Sequence, residues 1–262
     1  MKKMYFSYHF FYYTMSMKGG FMRKKTIVIT GGASGIGYEI AKLFCKKNYN
    51  VVVIDNNSKL IDTIKNDKNK ICYYCASVCN ENDICYVMKK ISEKFGSIDI
   101  LVNNAAKQVV ASLDDSTFES FRDVIDTNLN GTFLCIKESL KYMEKNSTIL
   151  NIISVHYEKP RVNKYSYDAS KAGIALLTKE LALELANKEI SINALSFGAV
   201  ATPLNNDWIN NLEIVEQTRK KIPLKKIFEP NEIAGFVYNI LVNFSRYTTG
   251  SIFTIDAGRS LV

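Results

Sequence analysis

Short runs of β-branched residues alternate with longer amphipathic stretches along this chain, and this alternation restricts its fold more than any other feature. The β-branched runs predict strands at 26–30, 51–55, 71–76, 98–102, 148–154, 190–195 and 251–255. The amphipathic stretches predict helices near 35–48, 58–66, 80–95, 115–145, 164–187 and 230–243. Strands that alternate with helices predict an α/β fold, with a doubly wound parallel sheet of about seven strands and helices on both faces.

The length and the apolar content fit one domain of this kind. The chain has 262 residues, of which 47% are apolar, and no linker or internal repeat interrupts 23–262. Residues 1–22 are aromatic, weakly basic and without a helical or strand period. We expect them to form an extension, either disordered or upstream of a true start at Met22. A membrane-contacting aromatic arm and a signal peptide are the alternatives. Beyond residue 22 no run of eighteen apolar residues predicts stable membrane insertion.

Charge and cysteine content exclude some classes of function. The formal charge is +8, but the basic residues are scattered and no nucleic-acid reading motif accompanies them, so no nucleic-acid partner is expected. Four of six cysteines lie between 72 and 85. Cys72 and Cys75 would point to opposite faces of a strand, and the chain has only two histidines, so no metal site is expected. Reduced thiols favour a cytoplasmic location.

A glycine-rich turn follows the first predicted strand and opens the first predicted helix. Glycines let the backbone approach a pyrophosphate closely, and the helix N-terminus presents unpaired N–H groups to it. The chain lacks the phosphate-binding lysine of a P-loop, so this context favours a dinucleotide and a Rossmann-type domain. The cofactor-binding residues predicted in this turn are Gly31, Ser34, Gly35, Ile36 and Gly37.

Asp55 closes the second predicted strand, eighteen residues after Gly37. A carboxylate at this place can accept hydrogen bonds from the ribose hydroxyls and would repel a 2′-phosphate. Ser34, Asn56 and Asn57 carry no positive charge that would favour that phosphate. NAD is therefore the predicted cofactor, with NADP as the alternative.

The spacing Thr30-Gly31-x-x-x-Gly35-x-Gly37 resembles the short-chain dehydrogenase/reductase family, in its single-domain branch of about 250 residues. The resemblance covers 26–262 and rests on several motifs in order. They are Asn103-Asn104-Ala105-Ala106, Asn128 within 127–131, Ser154, Tyr167-x-x-x-Lys171 thirteen residues later, 197–203, and Asp256-Ala257-Gly258. The resemblance implies that 23–262 is one dinucleotide-binding catalytic domain and that the chain is an oxidoreductase acting on CH–OH groups.

The resemblance also implies the roles of individual residues. Tyr167 exchanges the proton, Ser154 stabilises the substrate oxygen, Lys171 binds the ribose hydroxyls, and Asn128 holds a water of the proton relay. The further cofactor-binding residues are Ser77, Val78, Asn104, Ala105, Val200 and Thr202, together with Tyr167 and Lys171.

A simple estimate supports the tyrosine as a base. Tyr167 and Lys171 share one face of a predicted helix. Lowering a tyrosine pKa from ~10 to near neutrality needs ~4 kcal/mol. An ammonium ~4 Å away at an effective dielectric of ~20 supplies roughly that much. We therefore expect Lys171 to lower the pKa of Tyr167.

Three of the departures from the family pattern concern the cofactor site. Ser77 stands where the family has an aspartate that holds the adenine, so adenine affinity is expected to weaken modestly. Ala106 replaces a glycine and Phe197 replaces a proline near the cofactor. None of the three removes a catalytic group.

Substrate choice is expected to lie between Ser154 and Tyr167 and in the loop after Pro203. Ser154-Val155-His156 is similar to the glucose 1-dehydrogenase members, so the predicted substrate residues are Ser154, His156 and Tyr167. The partner is a small alcohol, ketone or sugar, with glucose as the first guess. The alternatives are a 3-oxoacyl carrier-protein reductase and an NAD-binding sensor or scaffold without turnover. The resemblance also implies self-association, as a homotetramer or a dimer.

Overall fold

The computed structural model describes residues 23–65 and 70–262, and in these residues it contains one parallel sheet. The predicted extension at 1–22 lies outside the described residues. The strands are β1 (Thr26–Thr30), β2 (Asn50–Asp55), β3 (Ile71–Cys75), β4 (Ile98–Asn103), β5 (Met143–Ser154), β6 (Ser191–Phe197) and β7 (Ile252–Ile255). Their order across the sheet is β3-β2-β1-β4-β5-β6-β7. The predicted α/β class, with its doubly wound Rossmann-type sheet, is confirmed.

Helices cover both faces of this sheet. They are α1 (Gly35–Lys46), α2 (Ser58–Ile64), α3 (Glu81–Phe95), α4 (Phe118–Ile125), α5 (Gly131–Ser139), α6 (Tyr165–Leu185), α7 (Asn206–Ile209), α8 (Leu212–Lys220) and α9 (Pro230–Asn239). Alternate strand residues face opposite helices. Ile27 and Ile29 pack with α1 and α9, whereas Val28 packs with α3, α5 and α6. This explains the nearly continuous apolar strand sequences.

The helical stretch predicted near 115–145 is confirmed over 118–142, but it is not one regular α-helix. The segment contains α4, a π-helical turn at Asp126–Asn130 and α5, and β5 already begins at Met143. The π turn inserts an extra residue into the helical repeat, which periodicity alone does not reveal. Its consequence is that Asn128 is turned inward and fully buried.

The first turn of the fold joins β1 to α1 through close backbone contacts. Gly31 has a φ of +63° and Gly35 a φ of +54°, which favour glycine. A Cβ atom on Gly37 would lie 2.4 Å from the carbonyl oxygen of Gly31 and 2.6 Å from Nδ2 of Asn104. The turn can therefore lie against the end of β4 only because position 37 has no side chain.

Asn104 fixes the other side of this junction. Its Nδ2 atom donates to the carbonyl oxygens of Thr30 and Gly31 at 3.1 and 2.8 Å. The Thr30 hydroxyl accepts from the backbone N–H groups of Asn104 and Ala105, each at 3.1 Å. The ends of β1 and β4 are thus joined by side-chain hydrogen bonds where the chain turns away from both strands.

No helix in residues 23–65 or 70–262 has the length and apolar character needed to cross a membrane.

We predict that Gly37→Ala lowers the free energy of unfolding by about 2 kcal/mol and weakens dinucleotide binding, because the added methyl group displaces the turn. Gly235→Ala is the matched control. Nothing lies within 4 Å of a Cβ at Gly235 in α9, so this change should raise stability by up to about 1 kcal/mol. Urea unfolding and NAD titration would measure both variants. Equal stability and NAD affinity in Gly37→Ala and the native chain would contradict the packing argument.

Candidate active site

A cavity of about 750 Å³ runs along the carboxyl edge of the sheet. It crosses the junction between β1 and β4, where the two halves of the sheet diverge. Parallel α/β sheets bind ligands at this edge because the loops there separate. The volume is within the range of small-molecule and cofactor sites.

The glycine-rich turn and the end of β2 form one end of the cavity. Four of the five predicted turn residues lie on its wall, namely Gly31, Ser34, Gly35 and Ile36. Gly37 is not on the wall, and its place is explained by the backbone packing around it. The predicted cofactor contact at Gly37 stays a prediction, and the structure adds a packing role for this residue.

Asp55 lies on this wall with both carboxylate oxygens held. Oδ2 accepts from the backbone N–H of Ala33 and Oδ1 from that of Asn57, each at 3.0 Å. The carboxylate is thereby fixed between the glycine-rich turn and the start of α2. Each carboxylate oxygen of Asp55 keeps a further lone pair, which can accept from a ribose hydroxyl.

The remaining predicted cofactor residues also lie along the cavity. The wall includes Ser77, Val78, Asn104, Ala105, Val200, Thr202, Tyr167 and Lys171. The Ser77 hydroxyl accepts from the backbone N–H of Cys79 at 3.2 Å, and the Ser77 N–H donates to Asp83 at 3.4 Å. The loop that carries Ser77 is therefore formed without the family aspartate. The departing residues Ala106 and Phe197 line the cavity as well.

Tyr167, Lys171 and Ser154 come together at the other end of the cavity. Tyr167 and Lys171 lie one turn apart on α6, and Ser154 ends β5. The Ser154 side chain lies close enough to the Tyr167 hydroxyl to lower the pKa of this tyrosine. Lys171 Nζ donates to the carbonyl oxygen of Ile152 at 2.9 Å and lies 5.4 Å from the centre of the Tyr167 ring. Tyr167 and Lys171 are on the cavity wall, whereas Ser154 is not part of that wall.

The pKa of Tyr167 is raised rather than lowered, contrary to the effect expected from Lys171. Burial raises the pKa of Tyr167 to about 12, while Arg161 and the nearby Ser154 side chain lower it only in part. Burial also lowers the pKa of Lys171 to about 8. Two features explain the difference: burying a phenolate costs free energy, and Lys171 donates to the Ile152 carbonyl oxygen. Tyr167 is consequently protonated at neutral pH and can donate its proton.

Asn128 is held behind these residues by the π turn. Its Oδ1 accepts from the Lys107 N–H at 2.7 Å, and its Nδ2 donates to the Lys107 carbonyl at 3.0 Å and to Ser170 Oγ at 2.9 Å. It therefore connects the loop after β4 with α6. It is not on the cavity wall, and its predicted role with a water stays a prediction.

His156 lies on the cavity wall and is neutral at ordinary pH. Burial, with the charges of Arg161, Arg259 and Lys164, lowers its pKa to about 4. Nδ1 lies 2.7 Å from the carbonyl oxygen of Lys159, which can only accept. Nδ1 therefore carries the proton, and Nε2 keeps a lone pair that can accept from a hydroxyl.

Several charged residues that no sequence motif indicated surround this end of the cavity. Arg161, Lys164, Asp207 and Arg259 are on the wall, and Asp168 is buried beside them. Arg161 lies between Ser154 and Tyr167, in the very segment expected to select substrate, but only the fold brings Arg259 to it. The segment after Pro203 contributes α7 and α8, with Trp208 and Thr218 on the wall.

No three or more of the His, Cys, Asp and Glu side chains in the described residues are arranged to hold a metal ion. Cys72 and Cys75 lie on β3, with Cys72 half-buried and Cys75 exposed, in agreement with opposite faces of a strand.

Comparison with known proteins identifies relatives of this arrangement. A family model described as enoyl-(acyl carrier protein) reductase matches 31–260. Glucose 1-dehydrogenase 2 of Bacillus subtilis is 35% identical over 246 residues, covering 90% of this chain and 95% of its own. The 3-oxoacyl-[acyl-carrier-protein] reductase FabG of Staphylococcus epidermidis is 31% identical, covering 89% and 98%. A short chain dehydrogenase from Bacillus anthracis superposes with a TM-score of 0.82 at 29% identity, covering 92% and 98%.

We predict that His156→Gln reduces the pH dependence of stability between about pH 4 and 6.5. The folded pKa of His156 is about 4, below its ordinary value of 6.5, so the unfolded chain binds more protons in this range. His156 therefore makes stability rise with pH from 4 to 6.5, and the variant lacks this contribution. Urea unfolding of both proteins at several pH values would measure it. Parallel profiles would show that His156 is not buried as described.

Proposed function

Because this chain belongs to the short-chain dehydrogenase/reductase family, we propose that Tyr167, Lys171, Ser154 and Asn128 form its catalytic group and that NAD is its preferred cofactor. The chain is an NAD(P)-dependent oxidoreductase that acts on CH–OH or keto groups. The observation that carries the assignment of residues is the position of Tyr167 and Lys171 together on the cavity wall, with Ser154 beside Tyr167.

Each of these residues has a task that follows from its surroundings. Tyr167, protonated by burial, donates its proton to a substrate carbonyl oxygen and accepts it back in the reverse direction. Ser154 holds that oxygen and stabilises its developing charge. Lys171 is placed to bind ribose hydroxyls, and Asn128 fixes the loop and helix behind them. The nicotinamide, when bound, supplies or takes the hydride.

The preference for NAD rests on charge at the adenosine end. Asp55 presents a fixed carboxylate, and the described residues that line this end with it include no lysine or arginine. A 2′-phosphate there would meet a negative charge with no cation to compensate it. The wall at Ser77 and Val78 offers the adenine an apolar contact and one hydroxyl group.

The proposed substrate is a secondary alcohol or its ketone, with a sugar or polyol as the class indicated by His156. The free lone pair on Nε2 can accept from a substrate hydroxyl, as a hydroxylated compound requires. The alternative, a 3-oxoacyl carrier-protein reductase, draws on the exposed residues Lys220, Lys221, Lys225 and Lys226, of which Lys226 pairs with Glu232 at 2.8 Å. The alternative of a sensor without turnover gains no specific support from the site.

Self-association and a cytoplasmic location are part of the proposal. Phe118, Phe133, Leu176 and Leu183 are exposed on α4, α5 and α6, and a second copy would cover such a face. Light scattering of the full chain tests this, and a monomer would reject it. All six cysteines are free thiols, as a reducing compartment favours.

We predict that the chain forms NADH with a secondary alcohol and that Tyr167→Phe lowers kcat by about 10²–10⁴-fold while NAD binding is kept. The panel would contain glucose, other sugars, polyols, hydroxysteroids and 3-hydroxyacyl thioesters, with NAD and NADP each tested in both directions. Tyr165→Phe is the control, because this hydroxyl, two residues away, only contacts the Ser112 carbonyl at 3.4 Å.

Turnover with NADP and the acyl thioester alone would overturn the NAD and polyol assignments. Binding of NAD without turnover of any compound would favour the sensor.

We predict that Asp55→Asn lowers the ratio of kcat/KM with NAD to that with NADP by at least about tenfold, because the repulsion of the 2′-phosphate is removed. Asp62→Asn is the matched control. Asp62 is an exposed carboxylate on α2 that pairs with Lys65 at 2.6 Å, outside the cavity wall. An unchanged ratio in Asp55→Asn would place the discrimination elsewhere.

A further inference from the structure

The substrate end of the cavity carries more positive charge than a neutral sugar or polyol requires. Arg161, Lys164 and Arg259 all reach the wall beside Tyr167 and His156. Their charges converge, since all three lower the pKa of His156. The nearby carboxylates are Asp168 and Asp207, so one positive charge of this cluster is uncompensated.

Arg161 is held by its backbone and only weakly neutralised. Its N–H donates to Asp168 Oδ2 at 2.8 Å, which fixes the loop before α6. Its guanidinium Nη2 lies 4.0 Å from Asp168 Oδ1, too far for a hydrogen bond. Its Nε is shielded from solvent, and the described residues provide it with no acceptor. A buried N–H of this kind costs stability unless an acceptor reaches it.

The other two cations are also only partly engaged. Lys164 is buried, and its Nζ lies 3.7 Å from Asp207 Oδ2. Arg259 donates from Nη1 to the carbonyl oxygen of Lys221 at 3.0 Å. In residues 23–65 and 70–262, no carboxylate oxygen lies within 4.0 Å of the Arg259 guanidinium. Two segments distant in sequence, the loop before α6 and the chain after β7, thus bring three cations together around one space.

We propose that the substrate carries a carboxylate, bound by Arg161 with Lys164 and Arg259, close to the carbon that Tyr167 serves. This inference rests on the proposed function and names its substrate class as a hydroxy acid and the corresponding oxo acid. In the oxidative direction a secondary CH–OH becomes C=O, its hydride reduces NAD to NADH, and its hydroxyl proton leaves through Tyr167. The carboxylate itself is unchanged by the reaction.

A carboxylate fits this cluster better than a phosphate does. A single negative charge balances the one uncompensated positive charge, whereas a phosphate dianion would leave an excess of negative charge beside Asp168 and Asp207. The planar guanidinium matches a carboxylate with two parallel hydrogen bonds, and the unpartnered Nε belongs to that fork. His156, kept neutral by burial and by the same cations, remains an acceptor for a hydroxyl of the same molecule.

Matched pairs of compounds test the inference with the full chain and NAD. D-Gluconate is compared with sorbitol, and 3-hydroxybutyrate with butane-1,3-diol, because each pair differs only in a carboxylate in place of CH₂OH. Sorbitol 6-phosphate is the phosphate probe. NADH formation gives kcat/KM, and calorimetric titration of the NADH-loaded protein, which cannot oxidise these compounds, gives Kd. Since binding is read without turnover, failure of the oxidoreductase proposal and failure of this inference are separately visible.

We expect the carboxylate of at least one pair to bind about 30-fold or more tightly than its neutral partner. Arg161→Gln should remove most of this preference, and Arg161→Lys should restore part of it. Arg246→Gln is the matched control, because Arg246 is exposed and outside the cavity wall, and it should keep the preference. Far-ultraviolet circular dichroism checks that each variant is folded.

Salt dependence of the native chain tests the same point if Arg161→Gln does not fold. Raising NaCl from about 50 to about 500 mM should weaken binding of the carboxylate and leave the neutral partner unaffected. Three results would each overturn the proposal. The neutral compounds could bind as tightly as the carboxylates, or Arg161→Gln could keep the preference for the carboxylate. Sorbitol 6-phosphate could also bind more tightly than the carboxylates.

Discussion

The hydrogen bonds between the ends of β1 and β4 are the constraint on which the rest of the site depends. In a parallel sheet that grows outward from β1 in both directions, the loops after β1 and β4 must leave in opposite directions. The cavity exists because of this divergence. Asn104 spans the gap by donating to two carbonyl groups of the first turn, and it approaches them only because Gly37 has no side chain. The cofactor wall is thus fixed by packing and by hydrogen bonds within the chain itself.

The two ends of the cavity carry opposite charge, and this polarity organises its chemistry. Asp55 places a carboxylate at the adenosine end, whereas Arg161, Lys164 and Arg259 surround the other. The low dielectric constant of the buried interior strengthens the electrostatic effect of each of these charges. Burial lowers the pKa of His156 to about 4 with the help of these cations, and Arg161 partly offsets the raised pKa of buried Tyr167. A molecule that spans the cavity must therefore present different chemistry to each end.

The sequence predicted the features that depend on local spacing. Examples are the position of β1, the glycine-rich turn and the pair Tyr167 and Lys171. Each follows from residues that lie close together in the chain, and the structure brings them to one edge of the sheet. Properties that depend on distant packing were not accessible in this way. The π turn at Asp126–Asn130 leaves no distinct periodicity, the raised pKa of Tyr167 reflects burial by several elements, and Arg259 reaches Arg161 only through the fold.

The first turns of α6 show why such properties resist prediction from a pattern. Tyr167, Asp168, Ser170 and Lys171 are all buried, although consecutive residues point to different sides of a helix. Lys171 contacts the end of β5, Ser170 contacts Asn128, and Asp168 holds the backbone of Arg161. An amphipathic pattern cannot describe a helix end that polar partners enclose on most of its sides. In the proposed reaction this enclosure links proton transfer to substrate recognition, because one helix end positions both the tyrosine hydroxyl and the loop that carries the guanidinium.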